Sequence, residues 1–323
     1  MEKLRVFLTR NLHDFALKEL KKQYKISIHS GKIPIPRKIL SFKIKRIDGL
    51  ICFPYDIIDK ELINKAENLK VISTYSVGFD HIDVEYAKKR KIRVGYTPEV
   101  LTDATADLAF SLILDVTRRV SEGDRLIRKG NWNQIFGAYE YVGNDLQGKT
   151  LGILGLGRIG STVAKRAKSF DMKIIYHNRK QISKAKEKSL GLRYVSFLEL
   201  IKESDIISIH VPHTKETDKL FNKKIFRKMK RTSFLINTAR GKIINERDLI
   251  YALKNKLIAG AGLDVFESEP INKNHPFTKL QNITLAPHIG SSTKETREKM
   301  AQITVENLNL GIKGRKPRFS VGY

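Results

Sequence analysis

The sequence predicts an α/β protein in which parallel strands are covered by helices. Three observations predict it. Short apolar runs alternate with helical segments along nearly the whole chain. One of these runs, KTLGILGLGRIG at residues 149–160, ends in a G-x-G-x-x-G pattern just before a helix. A single long helical stretch divides the alternation into two parts, so we expect two α/β domains.

The first part of the chain contains five predicted strands. Apolar or alternating runs place them at residues 3–8, 25–29, 49–53, 69–75 and 91–98, with helices over 14–23 and 58–66. Pro34 and Pro36 exclude a helix from the loop around them, and Pro98 ends the last strand. This alternation indicates a parallel sheet within residues 1–99.

The second part begins with the helical stretch Val100–Val120, for which Thr102 or Asp103 is the candidate N-cap. An aromatic and glycine-rich loop follows at residues 131–148. Strands are then predicted at the glycine motif and at residues 172–178, 206–212, 233–240, 258–265 and 283–288. A last helix, Ser292–Gly311, returns the chain toward the first domain. The predicted domains are therefore 1–99 with 289–323, and 100–288.

The glycine motif indicates a dinucleotide site. Gly155 allows the tight turn, Gly157 lets the backbone approach a pyrophosphate, and Gly160 lets the helix pack closely on the strand. The N-terminus of the following helix offers free N–H groups and the positive end of its dipole to phosphates.

The end of the next strand bears on the choice of cofactor. An acidic residue usually binds the ribose 2′-hydroxyl there, but this strand ends in Tyr176, His177, Asn178, Arg179 and Lys180. Arginine and lysine suit a 2′-phosphate, which a carboxylate would repel. We therefore expect NADP(H) to be preferred, with NAD(H) as the alternative. A solvated basic turn would explain the same residues more simply.

Three later strand ends bear residues suited to catalysis. The first of these predicted strands ends in Arg240, and the last ends in His288. The strand between them leads into a loop, and this segment contains Asp264, Glu267 and Glu269. In an open α/β sheet, ligands bind beyond the carboxyl ends of the strands. Arginine can bind a carboxylate, a protonated histidine can donate a proton to a developing alkoxide, and a glutamate beside it favours the charged imidazole.

Composition bounds the remaining possibilities. The net charge of +27 is spread along the chain without a nucleic-acid motif, so we interpret it as a lysine-rich surface and expect no specific nucleic-acid partner. The single cysteine, Cys52, excludes an internal disulfide. The N-terminus has no signal-peptide pattern, and no apolar run approaches the ~20 residues of a membrane helix. These features predict a cytoplasmic protein without a membrane segment, and no metal site is predicted.

These residues resemble the D-isomer-specific 2-hydroxyacid dehydrogenase family and, within it, the glyoxylate and hydroxypyruvate reductases. The resemblance rests on YSVGFDHID (75–83), VLTDATADLAF (100–110), GILGLGRIG (152–160), HVPHTKET (210–217), INTARG (236–241), GLDVFESEP (262–270) and PHIGS (287–291). It implies two Rossmann-like domains linked by two long helices: an NAD(P)-binding, doubly wound parallel sheet and a flavodoxin-like substrate domain. It also implies a homodimer and the reduction of a small 2-oxo acid to the D-2-hydroxy acid.

The resemblance also implies roles for individual residues. Arg240 binds the substrate carboxylate and carbonyl, His288 is the proton donor in reduction, and Glu269 is its partner. The implied substrate-binding residues are Val77, Gly78, Arg240, His288 and Ser291. The implied cofactor-binding residues are Thr105, Gly155, Gly157, Arg158, Ile159, Gly160, Asn178, Arg179, Lys180, Val211, Pro212, Thr238, Ala239, Arg240, Asp264, His288 and Gly290.

Two segments depart from the family's pattern. The loop Trp132–Gly143 is shorter than in close glyoxylate reductases, where it supplies an aromatic residue to the partner subunit's site; Tyr139 or Tyr141 replaces that residue here, or neither does. Phe53–Pro54 stands where an aliphatic residue is common. Both departures bear on the side chain of the substrate. Two alternative functions stay open: a D-3-phosphoglycerate or D-lactate dehydrogenase, or a nucleotide-sensing binding protein like the family's corepressors.

Overall fold

A computed structural model describes residues 3–322 and divides them into two compact units. The first unit contains the chain up to Leu101 and again from Ser291 onward, and the second is Thr102–Gly290. The boundaries predicted from the sequence, after residues 99 and 288, fall slightly earlier than these.

The first unit begins with five strands and four helices. The strands are β1 (Arg5–Leu8), β2 (Lys25–Ile28), β3 (Gly49–Cys52), β4 (Val71–Thr74) and β5 (Arg93–Gly95). The helices are α1 (Asp14–Gln23), α2 (Arg37–Lys43), α3 (Lys60–Asn64) and α4 (Val84–Lys89). Every residue of β3 and β4 is buried, as expected of parallel strands covered on both faces.

The second unit starts with two helices, α5 (Thr102–Arg118) and α6 (Val120–Arg128). Its strands are β6 (Thr150–Leu154), β7 (Lys173–His177), β8 (Leu192–Tyr194), β9 (Ile206–Ile209), β10 (Phe234–Asn237), β11 (Gly260–Leu263) and β12 (Ile283–Leu285). Its other helices are α7 (Arg158–Lys168), α8 (Lys184–Leu190), α9 (Phe197–Glu203), α10 (Lys223–Phe226) and α11 (Glu246–Lys254).

The chain then returns to the first unit through α12 (Lys294–Ile312) and β13 (Ser320–Val321). The sheet of this unit has the order β13-β5-β4-β3-β1-β2, parallel except for β13. Without β13 this is the 2-1-3-4-5 order of flavodoxin-like sheets. The Ser73 hydroxyl donates to Thr304 O at 2.8 Å, which fixes α12 on β4.

The second sheet has the order β12-β11-β10-β9-β6-β7-β8, and its paired strands are all parallel. Counted from β6, this is the doubly wound 3-2-1-4-5-6 order with one further strand at the edge. The order reverses between β6 and β9, so the ligand-binding crevice of this unit lies beyond the carboxyl ends of those strands. Both sheets confirm the fold class predicted from the sequence.

The long helical stretch differs from its prediction in one respect. It is broken at Arg119, whose φ of 60° is left-handed, and continues as α6. The Asp115 carboxylate accepts the Ser121 N–H at 2.7 Å and so stabilises the new helix start. Before the break, α5 buries Ala106, Ala109 and further apolar residues in the core of the second unit.

Candidate active site

The glycine turn after β6 is held by close contacts. Gly155 has a φ of +96°, and a Cβ there would lie 2.8 Å from the carbonyl carbon of His210. A Cβ on Gly160 would lie 2.3 Å from the carbonyl oxygen of Gly155. Neither position accepts a side chain, whereas a Cβ on Gly157 would meet no atom within 4 Å. Open space at Gly157, in front of the N-terminus of α7, fits a pyrophosphate.

The end of β7 is tied to this turn. Asn178 Oδ1 accepts the Leu156 N–H at 2.6 Å, so the amide orients the glycine loop. The next two residues, Arg179 and Lys180, are exposed and form no ion pair within the part of the chain that the structure describes. This strand end therefore offers two cations and no carboxylate.

The turn after β10 is built around Asn237, which the sequence reasoning did not single out. This fully buried amide accepts the Ala239 N–H at 3.0 Å and donates to Arg240 O at 2.9 Å. The Arg240 Nη1 donates to Ala239 O at 2.8 Å. The Thr238 hydroxyl oxygen is buried without a hydrogen-bond partner, which fits a ligand at this turn. The polar amide at a buried strand end was the signal available in the sequence.

The loop after β11 packs against this turn and gives Glu267 and Glu269 different hydrogen-bond partners. A Cβ on Gly241 would lie 1.9 Å from the carbonyl carbon of Phe266, so the two backbones touch. Glu267 accepts the Glu246 N–H at 3.0 Å, while Glu246 accepts the Glu267 N–H at 2.8 Å. Burial raises the pKa of Glu246. Glu267 is therefore engaged in a structural bridge.

Glu269 and His288 form the hydrogen-bonded carboxylate–imidazole pair of the site. Glu269 Oε2 lies 2.6 Å from His288 Nδ1, and Glu269 Oε1 accepts the Phe266 N–H at 2.8 Å. Both carboxylate oxygens are thus committed, which fixes the plane of the group. His288 has a left-handed φ of 54°, a strained conformation for a residue other than glycine.

Asp264 supports the backbone that follows His288. Its carboxylate is 1% exposed and accepts the N–H groups of Ile289 at 2.7 Å and Gly290 at 2.8 Å. Burial raises the pKa of Asp264 to about 6, against the lowering effect of these N–H groups and of His288. A Cβ on Gly290 would lie 3.3 Å from Thr105 Cγ2, so Thr105 and Gly290 are neighbours.

The end of β9 lies beside the glycine turn. His210 is partly buried, its Nε2 lies 2.8 Å from the Ser208 hydroxyl, and desolvation lowers its pKa to about 3, so it is neutral at pH 7. Val211 Cγ1 would lie 2.8 Å from a Cβ on Gly155, which places Val211 beside the glycine turn. Pro212 continues this segment.

Three of the predicted substrate residues belong to the first unit. Val77 and Gly78 follow β4, and their N–H groups have no acceptor within residues 3–322. The Ser76 hydroxyl donates to Gly78 O at 2.6 Å and lies 2.8 Å from the Thr74 hydroxyl, so this peptide is held in place. Ser291 is the residue at which the chain re-enters the first unit.

The described part of the chain lacks two further features. Within residues 3–322, no three His, Cys, Asp or Glu side chains are grouped so as to hold a metal ion. No helix of the described chain has the length and apolar character needed to cross a membrane.

The second unit therefore combines a dinucleotide-binding sheet with an arginine and a carboxylate–imidazole pair at its carboxyl edge. That combination defines a dehydrogenase that uses a nicotinamide dinucleotide. The sequence model described as "D-isomer specific 2-hydroxyacid dehydrogenase, NAD binding domain" matches residues 110–290. The chain belongs to this family, and it is an NAD(P)-dependent D-2-hydroxyacid dehydrogenase.

Known proteins are similar over almost the full chain. The glyoxylate reductase of Thermococcus litoralis is 48% identical over 318 residues, which are 98% of this chain and 96% of that one. The glyoxylate reductase of Thermofilum pendens is 47% identical over 318 residues, 98% of this chain and 94% of that one. The solved NADPH-dependent glyoxylate/hydroxypyruvate reductase of Sinorhizobium meliloti, in complex with NADP and malonate, has a TM-score of 0.86 at 28% identity, covering 99% of this chain and 97% of that one.

Proposed function

We propose that this enzyme reduces a small 2-oxo acid, glyoxylate or hydroxypyruvate, to the D-2-hydroxy acid and prefers NADPH as the reductant. The observation that carries the proposal is the pairing of Glu269 with His288 at 2.6 Å, at the same sheet edge as the Arg240 turn. The names of the relatives from Thermococcus litoralis and Thermofilum pendens support glyoxylate as a substrate.

In this proposal His288 is the proton donor. The nicotinamide, when bound, supplies the hydride to the carbonyl carbon. The Glu269 carboxylate holds Nδ1 of the imidazole, which leaves Nε2 to donate to the developing alkoxide. Glu269 is held in turn by the Phe266 N–H, so the imidazole is oriented before substrate binds.

Arg240 binds the substrate carboxylate and polarises the carbonyl, because a guanidinium can donate two parallel hydrogen bonds. The N–H groups of Val77 and Gly78, together with Ser291, bind the same carboxylate. The absence of an intramolecular acceptor for those two N–H groups within residues 3–322 supports this role.

The cofactor-binding part extends along the carboxyl edge of the second sheet. Gly155 to Gly160, with Arg158 and Ile159 on the first turn of α7, hold the pyrophosphate. Arg179 and Lys180 bind the 2′-phosphate, and the absence of a carboxylate at their strand end supports NADPH over NADH. The other residues proposed to bind the cofactor are Thr105, Asn178, Val211, Pro212, Thr238, Ala239, Asp264 and Gly290.

A homodimer would cover apolar side chains of the second unit. On α6, Val120 and Ile127 are 61% and 58% exposed, and in the loop that follows, Ile135 and Tyr139 are 91% and 95% exposed. Tyr141 is instead stacked on Phe136 with ring centroids 5.0 Å apart, so of the two tyrosines Tyr139 is the one proposed to contact a partner. Sedimentation at micromolar concentration should give twice the 37.0 kDa of the chain; a monomer would contradict this.

Replacement of Arg240 tests the division of roles. Arg240→Ala should abolish reduction of glyoxylate, because the substrate carboxylate loses its cation, while NADPH still binds with unchanged affinity. Turnover is followed by absorbance at 340 nm and binding by NADPH fluorescence. Equal loss of binding and turnover in a folded variant would refute a substrate-specific role, since Arg240 would then act on the cofactor.

A further inference from the structure

The first unit has its own reversal of strand order. The chain passes from β1 to β2 on one side and then to β3, β4 and β5 on the other. In such sheets ligands bind beyond the carboxyl ends of the strands where the order reverses, here between β1 and β3. Thr9 and Arg10 follow β1, and Phe53 to Asp56 follow β3, so these residues border that crevice.

Arg10 is a cation that lacks a counter-charge in contact. Its guanidinium carbon lies 5.4 Å from the ring centroid of Phe53 and 5.3 Å from that of Tyr55. Its Nε is buried without an acceptor, and Arg10 forms no ion pair within residues 3–322. Burial lowers the pKa of Arg10, while the nearby Asp56 opposes this effect. Arg10 is half-buried and its buried Nε lacks an acceptor, so an oxygen of a ligand would be stabilised beside it.

The rings of Phe53 and Tyr55 form a platform beside Arg10, and hydrogen bonds tie their loop to β1. Asp56 is 2% exposed, and its Oδ2 accepts both the Phe53 N–H at 2.8 Å and the Thr9 hydroxyl. One carboxylate therefore ties the ends of β1 and β3 together. Because the position of Arg10 depends on this tie and on the two rings, its guanidinium is oriented without a ligand.

The platform also reaches the strand end that leads to Val77 and Gly78. The rings of Phe53 and Tyr75 have centroids 5.0 Å apart, and Tyr75 precedes Val77 by two residues. The strands β1, β3 and β4 are consecutive in the sheet, so β1 and β4 are separated by about 10 Å. A small acid bound by the N–H groups of Val77 and Gly78 therefore lies within one side-chain length of Arg10.

We propose that Arg10 is a specificity-determining residue that binds an oxygen-bearing substituent on C3 of the 2-oxo acid. This inference rests on the proposed function, in which Val77 and Gly78 bind the substrate carboxylate. A hydroxyl or carboxylate on C3 accepts hydrogen bonds from the guanidinium. In pyruvate C3 is a methyl group, which leaves the guanidinium without an acceptor. Sites that hydrogen-bond a substrate group discriminate strongly against analogues lacking it. Glyoxylate has no C3 and is indifferent to Arg10.

Arg10→Met tests the proposal with four substrates: glyoxylate, pyruvate, hydroxypyruvate and oxaloacetate. Methionine keeps the apolar contact with the rings, and no buried acceptor loses a donor, so the variant should fold. We expect kcat/KM for hydroxypyruvate and oxaloacetate to fall by at least tenfold, and that for glyoxylate to stay within about twofold. The control is Arg37→Met, which removes an arginine paired with Asp59 at 2.6 Å in the same unit and should leave all ratios unchanged.

The outcomes are distinct. A wild type that turns over none of the four acids overturns the proposed function. Suppose that the wild type reduces glyoxylate, but Arg10→Met lowers kcat/KM for all four acids by one common factor or leaves every value unchanged. This result overturns the role of Arg10 alone. If thermal melting shows that Arg10→Met does not fold, Arg10→Lys replaces it as the test. The ratio of kcat/KM for hydroxypyruvate to kcat/KM for glyoxylate must then fall at least threefold, because lysine lacks the planar guanidinium of arginine. An unchanged ratio refutes the proposal.

Discussion

Replacing Glu269 with glutamine tests the proton-donor assignment most sharply, because the structure dictates how the new amide must point. Only the amide oxygen can accept the Phe266 N–H that Glu269 Oε1 accepts at 2.8 Å. The amide nitrogen of Gln then faces His288 Nδ1, which lies 2.6 Å from Oε2 in the native chain. A protonated imidazole also carries a hydrogen on Nδ1, so two donors would oppose each other.

The size of the effect follows from this geometry. Both side chains are mostly shielded, with 14% of Glu269 and 28% of His288 exposed. A hydrogen bond to a charged group contributes about 1.5–3 kcal/mol. Glu269→Gln should therefore lower kcat/KM for glyoxylate reduction by about ten- to a hundredfold.

The assay is kcat/KM for glyoxylate reduction, with the affinity for NADPH measured beside it. Glu267→Gln is the matched control, because its amide oxygen can still accept the Glu246 N–H that Glu267 accepts at 3.0 Å. A folded Glu269→Gln variant that reduces glyoxylate as fast as the Glu267→Gln control would show that Glu269 does not orient His288 for proton donation.

Two further predictions concern the cofactor. Gly160→Ala places a Cβ 2.3 Å from Gly155 O and should destabilise the fold by about 1–3 kcal/mol, visible as a lower melting temperature. The Cβ of Gly157→Ala meets no atom within 4 Å, so this variant should melt like the wild type. It should nevertheless weaken NADPH binding at least tenfold, because the Cβ occupies the space of the pyrophosphate. Equal melting of the two variants would contradict the packing role of Gly160. Arg179→Asp should weaken NADPH far more than NADH in binding titrations, because the introduced carboxylate repels the 2′-phosphate. The control is Arg193→Asp, at an arginine paired with Glu203 in the same unit, and equal losses for both cofactors would refute the 2′-phosphate argument.

Much of the fold could be predicted from the sequence because buried parallel strands are continuous apolar runs. The run ending at Gly155 and the run ending at Asn237 both become fully or largely buried strands. The break at Arg119 was not predictable in this way, since its left-handed backbone depends on capping by Asp115. The two-residue strand β13 is too short to give a pattern of its own.

The candidate site was only partly accessible from the sequence. Carboxyl-end placement identified Glu269 and His288 because each follows a predicted strand, and the structure pairs them. Strand-end placement did not separate Glu269 from Glu267, which only the family resemblance did, because the difference lies in a reciprocal backbone bridge to Glu246 that joins residues distant in the chain. Asn237 was missed although its polar amide ends an apolar run, because the sequence does not show that the amide bonds the backbone of the following turn.

The central claim is that this chain transfers a hydride between a nicotinamide dinucleotide and a small 2-oxo acid. The most direct measurement is the loss of absorbance at 340 nm with glyoxylate or hydroxypyruvate, each with NADPH and with NADH. We predict rapid oxidation of NADPH by at least one of these acids and slower oxidation of NADH. NADPH that binds but is not oxidised by either acid would contradict the claim.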